Sequence, residues 1–321
     1  MQNINDKETL VILRTLAYYD IFNYPLTEED ILSNCGLQQL NDCHCKNTLQ
    51  VLVDSGVVHK MGDYYGLSKN HQNVTERIKG NERAENWKKK ARWFSKLIAG
   101  FPFVRGIALS GSLSKGVIGK DPDIDYFIIT QPNRLWLTRT LLVAFKKIFL
   151  LNSYKYFCIN YFVDTESLEI EEKNLFTATE VTTLIPTYGQ KVANRFYEKN
   201  QWIRDYYPNF KNNGTDMIYK PRYQPVKRSL EFLLAGKIGD MLDNRFMDIT
   251  TQHWFKKFHH QFPEDEFNLV FKSSKTISKH HPRNFQKVVL QEFRKRVAEL
   301  EKKFNIRLEE VLSDDVKQSG S

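Results

Sequence analysis

The chain has 321 residues, of which 41% are hydrophobic and 26% charged, a composition typical of soluble globular proteins with room for two or three domains. The net charge is +9, but residues 1–70 hold five Lys or Arg against nine Asp or Glu, a net charge of −4, and the other residues carry +13. The N-terminal segment is therefore a poor match for a polyanion. Without a run of the roughly 18 apolar residues that a bilayer span needs, and without a basic-then-apolar leader, the chain is expected to be cytoplasmic and to lack membrane contact.

The four cysteines are Cys35, Cys43, Cys45 and Cys158. Cys43-His44-Cys45 places a metal-binding residue type at three successive positions. Structural zinc sites space their cysteines further apart and use a second pair elsewhere. We therefore expect ordinary thiols, with neither a zinc site nor a disulfide.

Apolar spacing in the N-terminal segment predicts three helices. The first covers 8–22, the second is capped by Thr27, and the third covers 40–54. Short strand-like runs within 57–67 predict a hairpin. Three helices followed by a hairpin resemble a winged helix, so we expect a winged-helix-like domain over residues 1–70.

A polar helical stretch over 71–100 predicts a linker helix that leads into the rest of the chain. Strands are predicted at 104–109, 123–130 and 156–163, with a helix at 134–151 between the last two. Later helices are predicted at 177–186, 189–206, 224–246 and 284–304. We therefore expect an α+β protein with a central α/β domain at 101–210, a helical C-terminal region at 211–315 and a disordered tail at 316–321.

The stretch 108–130 carries the chemistry. Gly111 ends an apolar strand, and its lack of a Cβ lets the backbone approach phosphate oxygens closely. Ser112 offers a hydroxyl and a backbone N–H, and a short helix starting there would aim its amides at the same anion. Ser114 and Lys115 add a second hydroxyl and a positive charge. These residues predict a phosphate site.

Asp123 and Asp125 stand eleven and thirteen residues after Ser112 and introduce the next apolar strand. Residues two apart on a strand face the same side, so the two carboxylates are expected to project together while Ile124 turns into the core. Two carboxylates on one face can hold Mg²⁺, which retains waters and substrate phosphate oxygens as further ligands.

The arrangement apolar-Gly-Ser, spacer, Asp-x-Asp resembles the signature of the DNA polymerase beta-like nucleotidyltransferase superfamily, including its small bacterial members. Ser114, Lys115 and Pro122 stand where those members often have alanine, arginine and serine. The resemblance implies a mixed sheet with helices, and Mg²⁺-dependent transfer of a nucleoside monophosphate from an NTP to an acceptor hydroxyl. It also implies the roles of the site residues: Asp123 and Asp125 bind the metal and act in catalysis, while Gly111, Ser112, Ser114 and Lys115 position the triphosphate.

The superfamily usually supplies a third carboxylate from a later strand, and here the sequence departs from it. Asn160 stands mid-strand at the expected place. Asparagine can coordinate a metal through its oxygen, so it is the expected third ligand, but it cannot act as a base. Asp164 shares the strand parity but lies ~13 Å further along at ~3.3 Å per residue. It could serve only on a short or bulged strand.

Alternatives to an enzyme stay open at this stage. The glycine and aspartates could form an ordinary tight turn and strand start. Asn160 could mark a degenerate site that senses nucleotides, with the winged helix docking a protein or nucleic acid. DNA binding is not favoured, because the helix at 40–54 offers only His44 and Lys46 as basic groups. The acceptor is unidentified: a small hydroxylated molecule, a protein side chain or an RNA end would all fit.

Overall fold

The computed structural model describes residues 6–36, 42–119, 121–153, 155–212, 217–219, 221 and 224–308. Over this part of the chain the protein is a mixed α+β structure that contains two sheets. No helix within the described residues combines the length and the apolar character that a bilayer span requires. The expected tail at 316–321 and the expected helix start at Leu40 lie outside the described residues.

Three helices and a small sheet form the N-terminal part. Its elements are α1 (Lys7–Asp20), β1 (Leu26–Thr27), α2 (Glu28–Asn34), α3 (Asp42–Asp54), β2 (His59–Met61) and β3 (Tyr64–Gly66). Asp6 caps α1 by accepting the Thr9 N–H at 2.8 Å. Thr27 and Asp30 form a reciprocal capping box on α2, which confirms the cap predicted at Thr27. Strand β3 lies between β1 and β2 and is antiparallel to both.

The long helix α4 (His71–Ala99) confirms the helix predicted after the hairpin. Near its start, the guanidinium of Arg77 lies 2.6 Å from the carboxylate of Asp30 and also donates to the carbonyl of Pro25. The same guanidinium stacks over the rings of Tyr24 and Tyr64, at 4.4 and 4.8 Å from their centroids. Arg77 therefore fastens α4 to the N-terminal part.

A five-stranded sheet forms the centre of the molecule. The following elements are β4 (Val104–Ser110), α5 (Gly111–Ser114), β5 (Asp125–Thr130), α6 (Leu135–Phe149), β6 (Cys158–Asp164), α7 (Leu175–Thr182), β7 (Ile185–Tyr188), α8 (Gln190–Lys199), α9 (Pro225–Leu233), α10 (Lys237–Phe258), α11 (Glu264–Val270), β8 (Ile277–Lys279) and α12 (Phe285–Phe304). The strand order is β7-β4-β5-β6-β8. β5 and β6 are parallel and joined through α6, and the other neighbours are antiparallel.

Two of these strands were not predicted. Strand β7 lies where the sequence predicts the end of a helix at 177–186, which was wrong beyond Thr182. Strand β8 lies in the region expected to be wholly helical. Both are edge strands of only three or four residues, and so short a run carries too little periodicity to be read from sequence. Pro186 fits β7 because proline is tolerated at sheet edges.

Helices cover both faces of the central sheet. On one face, Trp136 of α6 and Ile128 of β5 belong to a buried cluster that also includes residues of α4, α10 and α11. On the other face, Phe127 of β5 packs with Phe196 of α8 and with Ala178 of α7. Alternate residues of β5 thus supply two separate cores, as the pleat of a strand requires.

The last helix returns to the N-terminal part. Val289, Phe293, Val297 and Leu300 of α12 are buried in the same hydrophobic core as the residues of α1. The ring of Phe293 lies 5.7 Å from that of Tyr18 in an edge-on arrangement. Residues expected to form a separate C-terminal region therefore complete the core of the N-terminal helices.

Asp243 of α10 caps α6 from outside that helix. Its fully buried carboxylate accepts the N–H of Leu137 at 2.8 Å, and Lys275 lies 3.4 Å from its other oxygen. We expect Asp243→Ala to lower the free energy of unfolding by about 1 to 3 kcal/mol, because the buried N–H of Leu137 loses its acceptor. Urea unfolding checks this. Asp248→Ala, at an exposed position of the same helix, should change the stability little.

Candidate active site

Three strand ends meet at one edge of the central sheet. In the register of the sheet, Ser110 at the end of β4 is paired with Asp125 at the start of β5. Asp125 is paired in turn with Cys158 at the start of β6. The bend after β4 and the first residues of β5 and β6 therefore lie side by side, so the motif residues are gathered at this edge.

Gly111 makes the closest approach in this group. Its backbone has φ +70°, and a Cβ built on it would lie 2.4 Å from Oδ2 of Asp125. Any side chain there would collide with the carboxylate, and the left-handed backbone disfavours other residues as well. The contact with Asp125 therefore requires glycine at this position. From the sequence, glycine was predicted here only because of its contact with phosphate.

The residues after Gly111 form the single turn α5. The hydroxyl of Ser112 is half-buried and has no hydrogen-bond partner among the described residues. The hydroxyl of Ser114 donates to the carbonyl of Gly111 at 3.0 Å. Nζ of Lys115 donates to the same carbonyl at 3.1 Å and lies 2.7 Å from the carboxylate of Glu180 on α7. Lys115 thus points back across the bend toward α7.

The two aspartates converge, but not by the predicted route. β5 begins at Asp125, so Asp123 lies in the preceding loop and is exposed, and the prediction of a strand from 123 was wrong at its start. Ligand atoms of Asp123, Asp125 and Cys158 nevertheless all lie within 4.8 Å of one another. Ile124 between them is fully buried, as predicted. The loop therefore brings the carboxylates together without strand parity.

A bulge on β6 sets the third position of the site. The register passes from Tyr126↔Ile159 to Phe127↔Tyr161 and skips Asn160. The amide Nδ2 of Asn160 donates to Sγ of Cys158 at 2.9 Å and to Oδ1 of Asp125 at 3.4 Å. In this orientation Asn160 turns a donor toward the acidic pair, whereas the predicted metal contact needs its oxygen.

Cys158 is the site residue that the sequence prediction missed, since it was taken for an ordinary thiol. Its side chain is buried and its Sγ belongs to the group formed with Asp123 and Asp125. The available signal was its parity with Asn160: the two residues stand two apart on one strand and share a face. Without the register against Asp125, that parity could not place the thiol at the acidic pair.

Charge and burial act together on this group. Burial, and next the negative charge of Asp123, raise the pKa of Asp125 to about 6, against an ordinary value of 3.8. Burial, followed by the charge of Asp125 and a hydrogen bond to its carboxylate, raises the pKa of the Cys158 thiol far above its usual range. The thiol therefore stays protonated and donates to Asp125, while Asp125 is ionised above about pH 6.

Asp164 does not belong to the site. It is paired with Thr130 at the far end of β5, five residues and about 17 Å along the strand from Asp125 at ~3.3 Å per residue. Its Oδ1 accepts the N–H groups of Glu166 and Ser167 at 2.9 and 3.0 Å. Asp164 therefore caps the turn after β6, and the possibility that a bulge brings it to the metal position was wrong.

Helix α4 and the N-terminal part hold the loop that follows Lys115. Gly116 has φ +72°, and a Cβ there would lie 3.2 Å from Oδ1 of Asn81. That oxygen accepts the hydroxyl of Tyr24 at 3.2 Å. The guanidinium of Arg83 donates to the carbonyl of Ile118 at 3.0 Å. The stretch from Gly116 to Ile118 is thus packed by elements outside the sheet.

Comparison with protein families, with curated proteins and with solved structures finds no match for this chain. The chemistry of the site must be inferred from its own atoms.

Gly111→Ala tests the close approach to Asp125. The added methyl group would occupy the space of Oδ2, and alanine disfavours the left-handed backbone, so we expect a loss of about 2 kcal/mol or more in stability. Thermal unfolding measures it. Gly119→Ala is the matched control, because nothing lies within 4 Å of a Cβ at that exposed glycine. Equal losses for both variants would contradict the packing described here.

Asp125→Asn tests the raised pKa. Because the folded-state pKa of about 6 exceeds the ordinary 3.8, the carboxyl favours folding below pH 3.8 and loses that contribution as the pH rises through 6. The neutral amide avoids this loss. In EDTA we therefore expect the variant to be more stable than wild type by about 1 to 3 kcal/mol at pH 8.

The gain of Asp125→Asn should shrink steadily from pH 6 toward pH 4 in urea unfolding. A gain that is independent of pH, or that grows on acidification, would show that the carboxyl is not perturbed in this direction.

Proposed function

We propose that this protein is a Mg²⁺-dependent nucleotidyltransferase that transfers a nucleoside monophosphate from an NTP to an acceptor hydroxyl. The observation that carries the proposal is the convergence of Asp123 and Asp125 against the bend at Gly111-Ser112. A glycine bend that carries a hydroxyl and a lysine, next to a pair of carboxylates at one sheet edge, supplies the groups that this chemistry requires. The proposal includes membership of the DNA polymerase beta-like superfamily, which the motif resembles.

The donor set at the acidic pair fits Mg²⁺. Asp123 and Asp125 supply carboxylate oxygens, the ligands that this ion prefers, and leave positions for water and phosphate oxygens. Cys158 remains a neutral thiol and so orients Asp125 through a hydrogen bond. Bound there, Mg²⁺ would neutralise charge on the phosphates and orient them for in-line displacement.

The remaining motif residues would hold the triphosphate. The hydroxyl of Ser112 lies directly after Gly111 and has no hydrogen-bond partner among the described residues, so it is available to donate to a phosphate oxygen. Lys115 carries a positive charge on the same bend, and a triphosphate would compete with Glu180 for it. Ser114 is engaged with the carbonyl of Gly111, so its contribution would be to keep the turn in shape.

A nucleotide-sensing module is the second candidate. The orientation of Asn160 favours it, because an amide donor and a thiol occupy the place where related enzymes have a third carboxylate. Such a site would bind NTP and metal without turnover. The two candidates differ in pyrophosphate release.

We further propose that the N-terminal part is a winged-helix-like domain with a docking role. In such a domain α3, the third helix, would be the one that reads DNA. Its two basic side chains are directed to acids of the same domain: His44 lies 3.4 Å from Glu8 and Lys46 lies 3.5 Å from Glu28. Neutralised in this way, α3 suits a protein surface better than phosphates.

Asp123→Asn and Asp125→Asn test the nucleotidyltransferase. Removing one metal-binding carboxylate should lower Mg²⁺-dependent pyrophosphate release by about 1000-fold, because several kcal/mol of transition-state stabilisation are lost. Release is measured with each NTP against small hydroxylated molecules, protein and RNA acceptors. Asp121→Asn is the matched control, since Asp121 is 92% exposed and contacts only Lys155, at 3.5 Å, among the described residues.

Wild-type pyrophosphate release in both Asp123→Asn and Asp125→Asn would contradict the proposal. Nucleotide binding that depends on these aspartates, without pyrophosphate release on any acceptor, would establish the sensing module.

A further inference from the structure

Helix α7 projects a carboxylate toward the site. Ala178 and Val181 are buried on the sheet face that carries Phe127, two residues along β5 from Asp125. Glu180 lies between them in sequence and is 27% exposed at its side chain. The helix is held in place by Asn174, which caps it by accepting the N–H of Thr177 at 3.0 Å. Glu180 therefore stands on a helix that packs on the sheet face carrying Phe127.

Lys115 connects Glu180 to the bend. Its Nζ lies 2.7 Å from Oε1 of Glu180 and 3.1 Å from the carbonyl of Gly111. Glu180 is thus two short contacts from the glycine that packs against Asp125.

None of the other described residues named at this sheet edge is suited to receive a proton from an acceptor hydroxyl. Asn160 cannot act as a base, and Asp164 caps a turn at the far end of the sheet. Cys158 is buried, and its sulfur accepts the amide of Asn160 at 2.9 Å. Asp123 and Asp125 are committed to the metal. Glu180 is a carboxylate at this edge that is not assigned to the metal. Its ion-pair partner is Lys115, the lysine that the triphosphate would attract.

We propose that Glu180 is the general base of the transfer reaction and that Lys115 blocks it until nucleotide binds. This inference rests on the proposed nucleotidyltransferase function. In the structure described here the ammonium group neutralises the carboxylate. A bound triphosphate, with its higher negative charge, would draw the ammonium group of Lys115 away from Glu180 and leave that carboxylate free for the acceptor. A base that is released only by the donor nucleotide would couple acceptor activation to NTP binding.

The chemical step balances. The acceptor hydroxyl gives its proton to a carboxylate oxygen of Glu180, and its oxygen lone pair forms a bond to the α-phosphorus. The bond from the α-phosphorus to the oxygen bridging the β-phosphate breaks, and pyrophosphate leaves with that electron pair. Lys115 remains with the phosphates and offsets their charge through the displacement.

Affinity tests the competition for Lys115. With inorganic tripolyphosphate and Mg²⁺ as the probe, Glu180→Gln should bind about fivefold more tightly than wild type in titration calorimetry, because about 1 kcal/mol of ion pairing no longer opposes binding. Lys115→Met should bind more weakly than wild type. In the double variant, Glu180→Gln should bring no tightening, since the shared lysine is absent.

Turnover tests the base. Glu180→Gln should lower pyrophosphate release by about 100-fold or more while the KM for NTP stays equal or falls, because proton transfer is lost and nucleotide binding is not. Glu180→Asp, which keeps the carboxylate, should recover part of the rate. Glu198→Gln, at an exposed position of α8, is the matched control and should behave as wild type.

The possible failures are distinguishable. Wild-type binding and turnover with unchanged values in Glu180→Gln would overturn the role of Glu180 and leave the nucleotidyltransferase standing. Tighter probe binding with unaltered turnover would overturn the base and retain only the competition for Lys115. Absence of Mg²⁺-dependent probe binding in wild type would count against the proposed function itself, and the present inference would fall with it.

Discussion

The close contact between the backbone of Gly111 and the carboxylate of Asp125 constrains the whole site. It joins the end of β4 to the start of β5 at a separation that leaves no room for a side chain. Because the bend is closed so tightly, Ser112 and Lys115 emerge beside the acidic pair. The missing Cβ of Gly111 therefore decides how closely the bend and the acidic pair can approach each other.

The same contact explains the electrostatics. Packed against the glycine and facing Asp123, Asp125 is shielded from water, and its pKa rises to about 6. The bulge at Asn160 and the thiol of Cys158 supply donors that partly offset this burial. Both of these partners are neutral donors, so the negative charge of Asp125 above about pH 6 is retained.

The N-terminal part is built into this arrangement from two directions. Arg77 fastens α4 to it, and α4 packs on the loop that carries Gly116. Helix α12 returns to share its core, and Phe176 of α7 packs against the same cluster. Elements that surround the site therefore also pack against the N-terminal helices. A partner docked on those helices would contact elements that reach Lys115 and Glu180.

Local patterns in the sequence were enough for the mixed α+β class, for the capping box at Thr27, for the long helix after the hairpin, and for a glycine bend followed by paired aspartates. Each depends on residues near one another in the chain, where spacing and propensity act directly. Other features depend on contacts between distant segments of the chain. They are strands β7 and β8, the packing of α12 on the N-terminal helices, and the separation of Asp164 from the site. Register is a property of two strands at once, so only the folded sheet could place Cys158 beside Asp125 and skip Asn160. Glu180 lies on a helix far along the chain, and only packing of that helix against the sheet brings its charge to Lys115.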